Sequence, residues 1–181
     1  YVGNPNLKPQ NTHAISLSYF KGVRKFVINP EVSYTYGKSQ IAPVFSTKDG
    51  VINETIDNLK WMQYYKASLF MQWMPLSNNL LRLRLYSEIM YTRNSYMGQK
   101  WNHTGYTIAP SVYLNYKKWS AEIFYQTETE MLSGQILTTR PSMAKVEISY
   151  RPIQTMTVGI GIRYPFYESW KQTQKTYGTK A

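Results

Sequence analysis

The sequence predicts an all-β fold: an antiparallel up-and-down sheet of about eight strands, forming a segment of a transmembrane β-barrel. Three observations predict it. Polar and apolar residues alternate with period two along nearly the whole chain. The connections alternate between short and long. Aromatic residues gather at the ends of the alternating runs.

The strands are expected near 13–20, 25–36, 60–74, 79–92, 104–116, 119–128, 143–151 and 154–164. In an extended chain every second side chain points to the same face. In the second strand Phe26, Ile28, Pro30, Val32, Tyr34 and Tyr36 share one face, against Lys25, Asn29, Glu31, Ser33 and Thr35 on the other. The third is long. From Trp61 to Trp73 it covers roughly 40 Å at about 3.3 Å per residue. Tilted by about 45°, that is roughly 28 Å along the normal, close to the height of an outer-membrane apolar band. The fourth sets Leu81, Leu83, Leu85, Ile89 and Tyr91, broken by Ser87, against Arg82, Arg84, Tyr86, Glu88, Met90 and Thr92. The fifth and sixth meet at a Lys117-Lys118 corner. The seventh opposes Val146, Ile148 and Tyr150 to Lys145, Glu147, Ser149 and Arg151. The eighth opposes Met156, Val158, Ile160, Ile162 and Tyr164 to Thr155, Thr157, Gly159, Gly161 and Arg163. A helix would instead repeat its apolar residues three and four apart.

Short links are expected at Lys21 to Arg24, Pro75 to Asn78, Lys117-Lys118 and Pro152-Ile153. Long polar loops are expected at about 37–59, 93–103 and 129–142. Tight turns at one end and long loops at the other mark an up-and-down barrel in an outer membrane. Trp73, Tyr116, Trp119 and Tyr150 flank the short turns. Tyr34, Tyr36, Trp61, Tyr91, Tyr106, Tyr125 and Tyr164 flank the long loops. Two girdles result, one at each water–membrane boundary, where an apolar ring with a polar tip is at home. The 17 Tyr, 5 Trp and 6 Phe account for the high aromatic share of 15%.

The chain carries 21 basic and 10 acidic residues, a formal +11, spread singly along strands or in pairs at turns. A nucleic-acid binding face concentrates its bases, so nucleic acid is not an expected partner; outer-membrane lipid is. No Cys is present, which removes thiolate metal sites, thiol nucleophiles and disulfides. No apolar run reaches the roughly 18 residues of a membrane-spanning helix.

No catalytic, cofactor or metal site is read from the residues. His13 and His103 lie in different segments without ligand-spaced partners. Glu128 and Glu130 resemble a carboxylate pair but fall in an expected loop, and Gly159-x-Gly161 lies within a strand with no helix after it. Arg82, Arg84, Glu88, Lys145, Glu147 and Arg163 occupy the face opposite the apolar one. Charge toward lipid is costly, so these six are expected to face a lumen. A salt-bridge ladder there is favoured over contact with a plug or an anionic substrate. Tyr96, Met97 and Trp101, in the expected 93–103 loop, are the candidates for ligand contact.

The opening Gly3-Asn4-Pro5-Asn6-Leu7-Lys8-Pro9-Gln10 resembles the Gly-Asn-Pro-x-Leu-Lys-Pro-Glu motif of TonB-dependent receptors and the related Bacteroidetes outer-membrane barrel family, with Gln10 in place of Glu. The resemblance implies a late segment of a 22-stranded-type barrel in a bacterial outer membrane. It implies a plug domain, further strands and a TonB-type energising protein as partners, and uptake of a large nutrient such as a metal chelate, vitamin, glycan or peptide. Neither a plug nor a TonB box is visible in residues 1–181, which read as one barrel segment, and the chain is expected to lack strands at both ends, the alternative being that it closes on itself into a small eight-stranded barrel through pairing of the strand near 13–20 with the strand near 154–164. The alternatives are a barrel for envelope assembly or adhesion, and a soluble all-β binding module whose apolar faces form a core. No enzymatic activity is expected.

Overall fold

The computed structural model describes residues 4–48, 51–76, 79–164 and 173–176. These form fourteen strands and no α-helix: β1 (Asn11–Ser18), β2 (Lys21–Val23), β3 (Phe26–Lys38), β4 (Ile41–Lys48), β5 (Val51–Asn58), β6 (Trp61–Trp73), β7 (Leu81–Tyr96), β8 (Gln99–Tyr116), β9 (Trp119–Glu128), β10 (Met131–Ser133), β11 (Ile136–Thr139), β12 (Met143–Ile153), β13 (Met156–Arg163) and β14 (Thr173–Thr176).

The main sheet runs β1-β3-β6-β7-β8-β9-β12-β13, every neighbouring pair antiparallel, with β2 also paired to β3. β1 and β2 are one strand interrupted chemically. Ser18 pairs with Glu31 and Lys21 with Ile28, in a single register. Between them Tyr19 donates to the Pro30 carbonyl at 3.0 Å, and Pro30 has no N–H to return. On its other side β3 pairs with β6 without a break.

Because paired residues share a face, the register fixes two surfaces. One row across seven strands reads Phe26, Trp73, Leu83, Val112, Ile123, Val146, Ile162. The adjacent row, on the opposite face, reads Val27, Gln72, Arg84, Ser111, Phe124, Lys145, Arg163. The apolar face is uncovered: Ile15 is 70% exposed, Leu17 72% and Ile160 75%. No second sheet packs on it among the described residues, so it is not the half of a soluble sandwich.

The aromatic girdles take the expected positions. Toward the loops Tyr34 and Tyr65 lie 4.9 Å apart by ring centroids, and Tyr65 and Tyr91 6.1 Å. Toward the turns Trp119 and Tyr150 lie 4.6 Å apart. Phe124 pairs with Ser111, so Tyr125 is level with Leu85 rather than with Tyr91. The loop-side girdle thus steps along the register from strand to strand, as tilted strands require.

The connections need correction. The segments expected as long loops are largely strands. β4 and β5 pair from Ile41–Asn58 to Lys48–Val51, and β10 and β11 form a second hairpin. β7 and β8 run on past the girdle to Tyr96–Gln99, around Met97-Gly98. Met97 (φ 47°) and Gly98 (φ 81°) both adopt the left-handed backbone of a type I′ turn. Period-two hydrophobicity arises where one face meets lipid tails. Beyond the girdle neither face does, and the pattern fades although the strands continue. Two short turns also shift. The first lies at Arg24-Lys25, since Lys21–Val23 is strand and Val23 pairs with Phe26. The last lies at Gln154-Thr155, since Ile153 pairs with Met156 after a bulge beyond Tyr150. In the polar tail after Tyr164, Thr173–Thr176 is β14 and pairs with β11, while Trp170 and Ala181 lie outside the described residues. Among the described residues β1 does not pair with β13, and no closed barrel is formed.

Burial concentrates at the loop end rather than beneath the sheet. Ala42, Val44, Leu59 and Met62 form one cluster and Trp101, Leu132 and Leu137 another, with Tyr96 packed against both.

Candidate functional site

The polar face and the hairpins at its loop end form the candidate site. The register places Arg82, Arg84, Glu88, Lys145, Glu147 and Arg163 on this one face. Lys145 bridges two carboxylates, with Nζ 2.8 Å from Glu122 and 3.0 Å from Glu147. Arg84 donates from Nε to Gln72 Oε1 at 2.8 Å, and its guanidinium carbon lies 4.6 Å from the centre of the Tyr113 ring. Arg82 and Arg163 have no ion pair among the described residues, and Arg82 Nε is buried without a hydrogen-bond partner.

Nearer the loops, one row carries Glu31, Ser68, Glu88, Thr107 and Glu128. Lys66 lies 3.4 Å from Glu31 and 3.9 Å from Glu88, which also accepts from the Tyr86 hydroxyl at 2.5 Å. Arg140 lies 3.8 Å from Glu128. Along their own strands Arg82 and Arg84 lie toward the turns, whereas Lys145, two residues into β12, and Arg163, the last residue of β13, lie toward the loops, so both signs of charge are spread over the face.

The hairpins fold over the loop end of this same face. The Cβ of any residue replacing Gly105 would lie 2.9 Å from the Glu130 carbonyl oxygen, so the β9–β10 connection presses directly on β8. Asn94, fully buried, donates from Nδ2 to the Gly134 carbonyl at 2.7 Å. The Phe45 N–H donates to Gln135 Oε1. Asp57 joins three segments. Its Oδ2 accepts from the Tyr96 hydroxyl at 2.8 Å, and its Oδ1 from Asn4 Nδ2 at 3.3 Å and from the Asn58 N–H at 2.8 Å. Burial, and then the hydrogen bond to Asp57, pushes the Tyr96 hydroxyl up to about 12. The Lys175 ammonium, 2.9 Å away, holds the Glu130 carboxyl below its ordinary value.

Of the three residues expected to contact ligand, Met97 is 81% exposed at the turn tip, Tyr96 is engaged with Asp57, and Trp101 is buried at 7% between β8 and the β10–β11 hairpin. The motif Asn4 to Gln10 is pinned to the β4–β5 hairpin. Lys8 N–H donates to Asn58 Oδ1 at 2.6 Å, Asn58 Nδ2 donates back to the Lys8 carbonyl at 3.0 Å, and the Ile41 N–H donates to Gln10 Oε1 at 3.3 Å.

Lys66 and Glu122, central to the ion pairs, were legible from the same alternation that gave their neighbours. Asp57, Asn94 and Gln135 carried no periodic signal, because their roles depend on which hairpins meet.

The model of the outer membrane protein beta-barrel family matches residues 1–180. No curated protein and no solved structure gives a match. An uncovered apolar face bounded by two aromatic girdles, backed by a charged face, is the wall such a barrel needs, and over its whole length the chain belongs to the outer membrane protein beta-barrel family, whose members lie in the bacterial outer membrane.

Proposed function

We propose that this chain is part of the wall of a transport barrel resembling the TonB-dependent receptors, one that takes up a large nutrient: a metal chelate, vitamin, glycan or peptide. The observation that supports this most is the convergence of the β4–β5, β7–β8 and β10–β11 hairpins over the polar face. Outer-membrane barrels keep a polar interior, so that face lines the lumen. A barrel that only anchors an adhesin has no use for a body folded over its own mouth. A transporter needs one to select its cargo. The Asn4 to Gln10 motif agrees with the same family. Arg82 and Arg163, without an ion pair among the described residues, offer contacts for a plug domain, and a TonB-type protein would supply energy. No catalysis is proposed.

The test is uptake by cells lacking the whole gene. Loss of growth on one large nutrient, restored by the gene and blocked in the complemented strain by a protonophore, is the expected result. Unchanged uptake of every nutrient, with defective envelope assembly or surface adhesion, would favour the non-transport reading.

A further inference from the structure

The outward face does not end at the Tyr34–Tyr65–Tyr91 row. The next row toward the loops reads Tyr36, Gln63, Arg93, Asn102 across β3, β6, β7 and β8, and the one after it reads Lys38, Trp61, Ser95, Lys100. The two rows carry three cations and no carboxylate. Lys38 and Lys100 are exposed, and the Arg93 guanidinium carbon lies 5.9 Å from the centre of the Trp61 ring. Among the described residues none of the three has a carboxylate within ion-pair distance. Several cations elsewhere on the wall are engaged. Lys66 and Lys145 meet carboxylates on the polar face. At the turn end Lys25 donates to the Pro75 carbonyl at 3.0 Å and Lys118 to the Pro152 carbonyl at 2.7 Å.

Three cations without a carboxylate partner among the described residues thus stand on the lipid side, beyond the aromatic boundary. Arg93 is two residues past Tyr91 and Lys38 four past Tyr34, about 7 and about 13 Å along strands rising about 3.3 Å per residue. Tilted by about 45°, these are about 5 and about 9 Å along the normal, which puts Arg93 within the headgroup layer of about 5–7 Å and Lys38 at its outer edge, where its long side chain reaches back toward the phosphates. Lys100, six residues past Tyr106, stands higher. Lys38 and Lys100 are three strand spacings apart, about 14 Å at about 4.8 Å each, wider than one phosphate. Long loops belong to the outer surface of such barrels. We propose that Lys38, Arg93 and Lys100 bind the phosphates of an outer-leaflet lipid bearing more than one phosphate, fixing it against the wall beneath the loop body. The proposal does not depend on what the barrel carries.

Native mass spectrometry of the full-length protein in detergent tests it, with bis-phosphorylated lipid A, the same lipid dephosphorylated, and inorganic phosphate as probes. The expected result is retention of the phosphorylated lipid alone. Retention should fall about tenfold or more in Lys38→Gln/Arg93→Gln/Lys100→Gln, since each cation near an anionic surface contributes severalfold. It should be unchanged in Lys117→Gln/Lys118→Gln at the turn end. If the triple variant does not fold, Lys38→Gln and Lys100→Gln alone, at exposed positions, should each weaken retention severalfold. Equal retention of the dephosphorylated lipid, equal loss in the turn-end variant, no loss in either single variant, or displacement by millimolar inorganic phosphate would each overturn the proposal.

Discussion

Asp57 accepts hydrogen bonds from Tyr96 and Asn4 as well as from the next backbone N–H, so one carboxylate holds the β4–β5 hairpin, the β7–β8 hairpin and the opening motif together. Asp57→Ala leaves part-buried donors unpaired, at about 1–3 kcal/mol. Limited proteolysis of the intact protein should then cut β4–β5 faster while the sheet strands stay protected; unchanged cleavage would count against the node. Tyr96 adds a pH dependence. Its folded-state value is raised above the ordinary 10 to about 12, so folding favours its neutral form. That stabilisation is complete below about pH 10 and is lost as pH rises toward about 12. With the base-catalysed rise of the intrinsic rate divided out, hydrogen-exchange protection of the β7–β8 tip should fall over that window in the native protein and lose this dependence in Tyr96→Phe. Gly134 is a third fixed point. Its φ is +60°, and a Cβ there would lie 2.6 Å from the Pro43 carbonyl oxygen. Gly134→Ala should therefore push the β10–β11 turn off β4, seen as solvent exposure of a probe at Gln135.

At the scale of elements, legibility followed the membrane. Leu83, Val112, Ile123 and Val146 each lie on strands read from alternation alone, and the register aligns them in one row. There the requirement for lipid on one side writes itself into every second residue. The hairpins beyond the girdle were missed because that requirement ends there. Their traces were turn dipeptides instead: Met97-Gly98 and Gly134-Gln135, each holding a glycine, the residue that tolerates positive φ. Such dipeptides identify a turn but not the partner its hairpin will meet. Trp101 illustrates the difference. An aromatic in a polar stretch reads as a ligand contact, yet Leu132 and Leu137 cover it. The N-terminal motif was legible as a resemblance, while its attachment to Asn58 and Ile41 was not.

On the whole molecule, the two faces make opposite demands. A charge on the lipid face costs about 2–4 kcal/mol at the bilayer midplane, whereas the polar face already holds Arg84 against Gln72 and Tyr113. Leu83→Arg should therefore reduce the amount of protein assembled in the outer membrane more than Arg84→Leu does. Comparable losses would mean that both faces meet the same solvent. The chain has no cysteine, so the orientation can be read residue by residue. Single cysteines placed in turn from Leu83 to Ile89 and spin-labelled in the full-length protein in bilayers report collision with oxygen, which enriches in lipid, and with a polar nickel chelate, which does not. The account predicts strict alternation along β7: high oxygen collision at 83, 85, 87 and 89, and high chelate collision at 84, 86 and 88. Equal chelate access on both faces, or oxygen access following the even positions, would contradict it.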